Sequence, residues 1–210
     1  MNKKGVLTVV SGFSGAGKGT LMKALLNKYE YQLSVSATTR SPREGEIHGR
    51  EYFFLTRDEF ESMIKNDQLI EWAEYVGNYY GTPKAYVEEQ LEAGKDVILE
   101  IEIQGALKVK ELFPDALLLF ITPPSIMELK KRLIGRGTES MEVINNRLLR
   151  AYEEANYMTH YDYLVINDDL AECVERTHQL IQQQHLRVDN NQVFIEALTA
   201  ELRAMKEGVL

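Results

Sequence analysis

The sequence predicts an α/β fold in which a parallel sheet is flanked by helices. Short apolar runs rich in branched residues alternate along the chain with segments of helical periodicity. The apolar runs show little polar alternation, which is typical of strands that helices cover on both faces. The first run leads directly into a glycine-rich turn, and doubly wound folds bind their ligands at such carboxyl ends of strands.

The apolar runs are predicted to be strands because turn or polar residues bound each of them. They comprise residues 6–10, 96–100, 117–121 and 163–166. Helical periodicity predicts helices at about 18–29, 84–93, 103–112, 125–134, 140–158 and 170–187.

Two stretches do not follow this alternation. Residues 34–82 are dense in charged, aromatic and turn residues and predict a small inserted α+β unit. Residues 125–150 are helical around the break Gly135-Arg136-Gly137 and predict a mobile flap.

The charge balance limits the partners that this chain can have. Its 210 residues include 24 lysines and arginines against 32 aspartates and glutamates, a net charge of −8. This excess argues against long nucleic acid, which requires broad phosphate neutralisation, and against docking on an anionic membrane. It does not exclude a small anionic ligand, because a few clustered cations can bind one.

Cysteine content and hydropathy bear on location. Cys173 is the single cysteine, which excludes an internal disulfide and a cysteine-based zinc site. No apolar run approaches the roughly 18 residues of a membrane span. We therefore expect a cytoplasmic protein.

The most informative motif is a glycine-rich loop between the first predicted strand and the first predicted helix. It reads Gly12-Phe13-Ser14-Gly15-Ala16-Gly17-Lys18-Gly19-Thr20. Glycines let backbone N–H groups approach phosphate oxygens, a helix N-terminus favours an anion, and Lys18 supplies a point charge. The strict pattern has Ser or Thr directly after the lysine, whereas here Gly19 precedes Thr20. The loop predicts a nucleoside triphosphate, with the hydroxyl contact to magnesium as the weaker part of the prediction.

A second anion site is predicted within residues 38–54. Arg40 and Arg43 flank Pro42 and can converge on one phosphate with forked donors, and Tyr52 can add a phenolic hydroxyl. Two arginines alone would more often belong to a solvated loop, so the surrounding sequence decides.

From about Gly5 to about Leu186 the sequence closely resembles the guanylate kinase family. The stretch from Thr38 to Phe54 is the family's own signature, and the phosphate loop agrees with it in order and spacing. The other matching blocks are Gly77-Asn78-Tyr79-Tyr80-Gly81-Thr82, Arg136-Gly137-Thr138 and Val165-Ile166-Asn167-Asp168-Asp169.

The resemblance implies a P-loop nucleoside monophosphate kinase fold with a core, a GMP-binding insert and a helical lid. The implied bounds are 1–33, 83–124 and 151–187 for the core, 34–82 for the insert and 125–150 for the lid. Residues 188–210, beyond the resemblance, are predicted to form a C-terminal helical tail. The implied reaction transfers a phosphoryl group from ATP to GMP, and to dGMP, with Mg²⁺. Such a reaction supports guanine nucleotide synthesis and recycling.

The resemblance also assigns roles to individual residues. ATP would be bound by the whole loop from Gly12 to Thr20, with Asn167 beside the adenine. The GMP phosphate would be held by Arg40, Arg43, Tyr52 and Tyr80, and the guanine by Ser36, Glu71, Thr82 and Glu102. The catalytic cations would be Lys18, Arg132, Arg136 and Arg147. Magnesium would meet Glu100 through water, and Thr20.

The implied roles fit the chemistry of the substrates. Guanine presents two parallel donors that one carboxylate such as Glu71 can accept, whereas adenine has neither donor. The nucleophile is an ionised phosphate oxygen, so no general base is required. The sequence departs from the family at two of these positions. Glu102 stands where aspartate is usual, which weakens its role toward guanine, and Phe13 stands where proline is common, from which we expect little consequence.

The sequence leaves open two alternatives to an active guanylate kinase. Some guanylate kinase-like domains are inactive modules that bind protein ligands in the same cleft, and related kinases act on other phosphorylated substrates. The tail is a separate question, because Phe194, Leu198, Leu202 and Met205 have helical spacing beyond the resemblance. Their apolar stripe either folds back on its own core or pairs with another subunit in a homo-oligomer.

Overall fold

The computed structural model describes residues 4–75, 77–135, 137 and 140–207. In chain order the elements are β1 (Leu7–Gly12), α1 (Lys18–Lys28), β2 (Gln32–Leu33), β3 (Ala37–Thr38), β4 (Phe53–Phe54), α2 (Arg57–Lys65), β5 (Leu69–Tyr75), β6 (Asn78–Pro83), α3 (Lys84–Glu92), β7 (Val97–Glu100), α4 (Ile103–Leu112), β8 (Leu117–Thr122), α5 (Ile126–Gly135), α6 (Met141–Ala155), β9 (Tyr163–Ile166), α7 (Leu170–Gln184) and α8 (Gln192–Lys206). Short 3-10 turns at Met158–His160 and Val188–Asn191 precede β9 and α8.

The larger sheet is parallel and has the order β2-β7-β1-β8-β9. Its middle strand, β1, pairs through Val10 with Glu100 on one side and through Gly12 with Ile121 on the other. All three strands therefore end at the same edge of the sheet, where the glycine-rich loop leaves β1.

Alternate residues of these strands pack into two separate hydrophobic clusters. On one face Val10, Ile98 and Leu119 pack with residues of α1 and α7. On the opposite face Val9, Leu99 and Leu118 pack with residues of α3 and α4. Because both faces are covered, the strands carry continuous apolar runs, as a parallel sheet requires. The predicted α/β class is confirmed.

The predicted strands and helices are confirmed to within a few residues at their ends. The edge strand β2 was missed, because its two residues, Gln32 and Leu33, carry no strand-length apolar pattern. Gln32 pairs with Val97, and the N–H of Ser34 continues the ladder to the Ile98 carbonyl over 2.9 Å. The helix predicted over 140–158 ends at Ala155, before the first 3-10 turn.

The α+β stretch forms a second, mixed sheet with the order β4-β3-β6-β5. Strand β3 is parallel to β4 and antiparallel to β6, which is antiparallel to β5. Helix α2 packs on this sheet through Phe60, which is fully buried with Ala37 and Leu69. A capping box between Thr56 and Glu59 fixes where α2 begins.

The C-terminal helix α8 follows the second 3-10 turn and contains no buried residue. Its apolar side chains stay exposed, so the alternative in which the tail folds back on its own core is not what the structure shows. None of the helices in the described part of the chain is long and apolar enough to cross a membrane.

Candidate active site

The glycine-rich loop adopts backbone angles that other residues rarely reach. Gly12, Gly15 and Gly17 have φ of 148°, 93° and 94°. A Cβ on Gly12 would lie 2.0 Å from the Ile121 carbonyl oxygen, so only glycine fits there. Gly17 precedes α1, whose first turn carries no acidic residue. The open N-terminus of α1 therefore presents N–H groups and the positive end of the helix dipole to an anion.

Lys18 lies folded over this loop. Its Nζ donates to the carbonyl of Gly12 over 2.6 Å and to that of Phe13 over 3.2 Å. The Phe13 ring is buried against Phe120, with ring centroids 5.0 Å apart, so Phe13 can serve a ligand only through its backbone. Gly19 and Thr20 are exposed at the start of α1.

Two side chains from distant segments hold the loop at Ala16. Asn167, which directly follows β9 and is buried, donates from Nδ2 to the Ala16 carbonyl over 2.9 Å. Arg132 of α5 donates to the same carbonyl over 3.3 Å and to the Asn167 carbonyl over 2.9 Å. Glu128, one turn earlier in α5, accepts from Arg132 Nε over 3.0 Å. Both predicted residues thus meet the loop, and Glu128 was not predicted.

Helix α6 brings a second arginine to the loop. Arg147 donates to the Ser14 hydroxyl over 2.5 Å. The structure therefore gathers Lys18, Arg132 and Arg147 around one loop. Arg136 and Thr138 lie outside the described residues.

A partly buried carboxylate, Glu71 of β5, lies on the side of the cleft formed by the second sheet. The buried Thr82 hydroxyl donates to its Oε1 over 2.7 Å. Desolvation raises the pKa of Glu71 above the usual 4.5, and the Thr82 hydrogen bond and the Lys108 charge oppose that shift. A Cβ on Gly105 would lie 3.1 Å from Glu71 Oε2, so this glycine gives the carboxylate its space.

Three of the four residues predicted to hold a phosphate cluster together. The Arg40 guanidinium lies 5.5 Å from the Tyr52 ring centroid, and the Tyr52 and Tyr80 rings are 6.1 Å apart. Glu46, which was not predicted, accepts from Arg40 over 2.9 Å. Their hydrogen bond raises the pKa of Arg40 and lowers that of Glu46. Arg43 is exposed; its backbone N–H donates to Glu46 Oε2 over 2.6 Å, and its charge also helps to lower the pKa of Glu46.

The remaining predicted guanine contacts differ in how they are held. Ser36 is half-buried beside β3, and its carbonyl accepts from the N–H of Phe53 over 2.9 Å. Glu102 is exposed, and its Oε2 accepts from Arg150 of α6 over 2.9 Å. Arg150 was not predicted, because only the fold brings it from α6 to Glu102, 48 residues earlier in the chain.

Glu100 ends β7, next to the strand that leads into the loop. Its carboxylate is solvent-accessible, and partial desolvation raises its pKa while the Lys18 charge opposes the shift. Within the described residues, no group of three or more Asp, Glu, His or Cys side chains could hold a metal ion. A cation at Glu100 would therefore need further ligands from a substrate.

A histidine–carboxylate pair exists, but at the other edge of the sheet. His185 Nε2 lies 2.9 Å from Asp96 Oδ1. Asp96 directly precedes β7, whose opposite end carries Glu100. Since a general base must be within hydrogen-bond reach of its proton, this pair cannot serve the loop.

Comparisons with known proteins agree with the geometry. The guanylate kinase family model matches residues 4–184. The guanylate kinase of Lactococcus lactis is 54% identical over 192 residues, covering 90% of this chain and 93% of that protein. That of Bacillus anthracis is 50% identical over 203 residues, covering 96% and 99%. The crystal structure of guanylate kinase from Anaplasma phagocytophilum has a TM-score of 0.68 at 32% identity and covers 89% of both chains.

Replacing Gly17 by alanine should weaken binding of a nucleoside triphosphate. The new Cβ would lie 2.5 Å from Asn167 Nδ2, and a φ of 94° is strained for alanine. Strain of about 1–3 kcal/mol in the binding-competent loop corresponds to roughly 5- to 150-fold weaker binding of ATP, measured by calorimetry. Gly94→Ala is the matched control, because Gly94 has a φ of 79° but lies outside the loop. It should lower stability and leave ATP affinity unchanged. Equal ATP affinities for the two variants would contradict the assignment.

Proposed function

Because the chain belongs to the guanylate kinase family, we propose that it transfers the γ-phosphoryl group of ATP to the phosphate of GMP or dGMP, giving the two diphosphates. The observation that carries this proposal is the desolvated Glu71 carboxylate held by Thr82, in a chain that also has a phosphate loop. Other P-loop proteins share such a loop, whereas the carboxylate selects the base.

Recognition of guanine follows from the donors that the base offers. Its N1–H and 2-amino group point the same way and can both donate to the Glu71 carboxylate. Ser36 can donate a hydroxyl to O6, whereas the Thr82 hydroxyl would have to give up its hydrogen bond to Glu71 to do so. Adenine has neither donor, so it would leave a desolvated carboxylate unpaired, and sites of this kind reject such analogues by large factors.

The transfer itself depends on position and charge. The acceptor oxygen of GMP is already ionised, so no proton has to be removed. Arg40, with Tyr52 and Tyr80, would hold that phosphate, and Arg43 would have to turn inward to join them. Lys18 and the arginines of residues 125–150 would stabilise the charge that spreads over the moving phosphoryl group.

We propose that the regions of the chain divide the work as follows. Residues 34–82 would bind GMP, and residues 125–150 would close over ATP. This closure would bring Arg132, Arg136 and Arg147 toward the triphosphate. It would also exclude water, which would otherwise hydrolyse ATP. Asn167 would lie beside the adenine, and the residues of the loop from Gly12 to Thr20 would bind the triphosphate.

The donor set also fits magnesium. Glu100 offers a carboxylate and Thr20 a hydroxyl, and Mg²⁺ prefers a few such oxygens together with water and substrate phosphates. When bound with ATP, the ion would neutralise charge on the β- and γ-phosphates. The residues of this chain would contribute its outer contacts.

Location and partners complete the proposal. We infer a cytoplasmic protein that uses ATP and GMP and has neither a membrane nor a long nucleic acid as partner, in keeping with its net charge of −8. The uncovered apolar face of α8 supports a homo-oligomer that forms through the C-terminal tail.

A coupled assay of ADP release tests the proposed reaction across GMP, dGMP, AMP, UMP and CMP. GMP and dGMP should be phosphorylated, and the other three should react about 10³-fold more slowly, because each leaves Glu71 without its two donors. No turnover with GMP would favour an inactive binding module. Faster turnover with another nucleotide would favour a different kinase, and either result would contradict the proposal.

Glu71→Gln should impair the use of GMP and spare ATP. The amide offers one acceptor and one donor group in place of a double acceptor, so kcat/KM for GMP should fall by roughly 10²–10³-fold. The KM for ATP should stay within about threefold. Glu74→Gln, on the same strand but exposed beside Arg57, is the matched control and should leave both values unchanged. Equal changes in both Michaelis constants would remove Glu71 from guanine recognition.

The raised pKa of Glu71 adds a pH dependence to the same test. As the pH falls through that raised pKa, the carboxylate gains a proton and kcat/KM for GMP should drop. Thr82→Val removes a hydrogen bond that lowers this pKa, so the drop should move to higher pH. The folded state binds this proton more readily than the unfolded state, so the ionised group reduces stability above the raised pKa. Urea unfolding at neutral pH should accordingly find Glu71→Gln more stable than the wild type.

A further inference from the structure

The C-terminal helix α8 carries an apolar seam with the spacing of a coiled coil. Ile195, Leu198, Leu202 and Met205 follow one another at intervals of 3, 4 and 3 residues, which are a and d positions of two heptads. Leu198, Leu202 and Met205 are 46%, 58% and 63% exposed, although they are the residues that such a helix normally buries. The seam is therefore complete in sequence, and three of its four side chains are uncovered in the structure, while Ile195 is half-buried.

We infer that α8 pairs in parallel and in register with the α8 helix of a second copy of this chain. The inference rests on the proposed homo-oligomer and adds its partner, orientation and register. An isoleucine at an a position followed by a leucine at d, as at Ile195 and Leu198, favours two strands. The two-heptad length gives a modest interface, so the pair should dissociate on dilution.

The charges beside the seam select the parallel orientation. Glu201 occupies a g position and Lys206 the following e position, and both are exposed. In a parallel pair, Glu201 of one copy faces Lys206 of the other, and the contact occurs twice by symmetry. An antiparallel pair centred between Leu198 and Leu202 would instead bring the two Glu201 carboxylates together. The parallel arrangement gains two attractions where the antiparallel one gains a repulsion.

The C-terminal end of α8 is suited to a free helix, because Arg203 and Lys206 lie in its last turn, where cations complement the helix dipole. Nothing in the charge pattern requires α8 to lie on the body of its own chain, so its seam is available to a second copy.

Charge reversal in the full chain tests the partner and the orientation. Sedimentation over a range of concentrations should show a dimer for the wild type and a dissociation constant at least about fivefold higher for Glu201→Lys. The double variant Glu201→Lys/Lys206→Glu should restore the wild-type value, because it exchanges the two charges. Glu196→Lys, an equal charge change at a b position, is the matched control and should have no effect. A monomeric wild type, or no effect of Glu201→Lys, would overturn the inference.

Cross-linking tests the register. In a parallel, in-register pair each d residue faces its own copy, so Leu198→Cys should form a disulfide-linked dimer under mild oxidation. Ala200→Cys, at an f position, should not. The native Cys173 is buried and its pKa is raised to about 11, so it adds no background. Equal cross-linking at the two positions would reject the register. The activity assay with GMP and the measurements of dimerisation are independent. A chain that dimerises but does not phosphorylate GMP would contradict only the proposed reaction.

Discussion

Only glycine fits at position 17 of the phosphate loop, because the side-chain amide of Asn167 occupies the space that a Cβ would need. A loop built from glycines at positive φ lacks side chains to hold it, so other segments must fix its shape. Asn167, at the end of β9, and Arg132, on α5, both donate to the carbonyl of Ala16. This joint ties three distant parts of the chain to the place where phosphates would bind. Movement of α5 would therefore change the position of the loop directly, through Arg132.

Carboxylates that neighbour the binding cations explain how an acidic chain can present an anion site. Arg40 is held by Glu46 and Arg132 by Glu128, each at about hydrogen-bond distance. Each carboxylate orients a long side chain and reduces the entropy that a ligand would otherwise have to remove. The same carboxylates weaken the attraction for any anion that does not fit the geometry. The net charge of −8 is thus compatible with a small cleft that binds nucleotides and a surface that repels polyanions.

The sequence predicted what depends on local pattern and missed what depends on packing. Continuous apolar runs predicted the long strands. The phosphate loop could be predicted because its strand, glycines and helix are contiguous in the sequence. The edge strand β2 could not be predicted, because its two residues are too few to show an apolar pattern. Arg150 and Glu46 were missed because only the fold brings them to Glu102 and Arg40. Arg43 was predicted beside Arg40 from spacing and resemblance, yet it is exposed and its hydrogen bond to Glu46 comes from its backbone N–H, because the loop's backbone angles, which residue types do not give, set where each side chain lies.

The selectivity for guanine that we propose and the stability lost in building the site have the same physical origin. Glu71 lies where β5 of the second sheet meets α4, and Gly105 leaves it just enough space. Burial at this joint raises its pKa, which means that the protein gives up stability to keep the charge there. A base with two matching donors would recover that loss, whereas a base without them would leave the carboxylate desolvated and unpaired. A fully hydrated carboxylate would lower the stability of the folded protein less. It would also discriminate less between bases, because water could replace the missing donors.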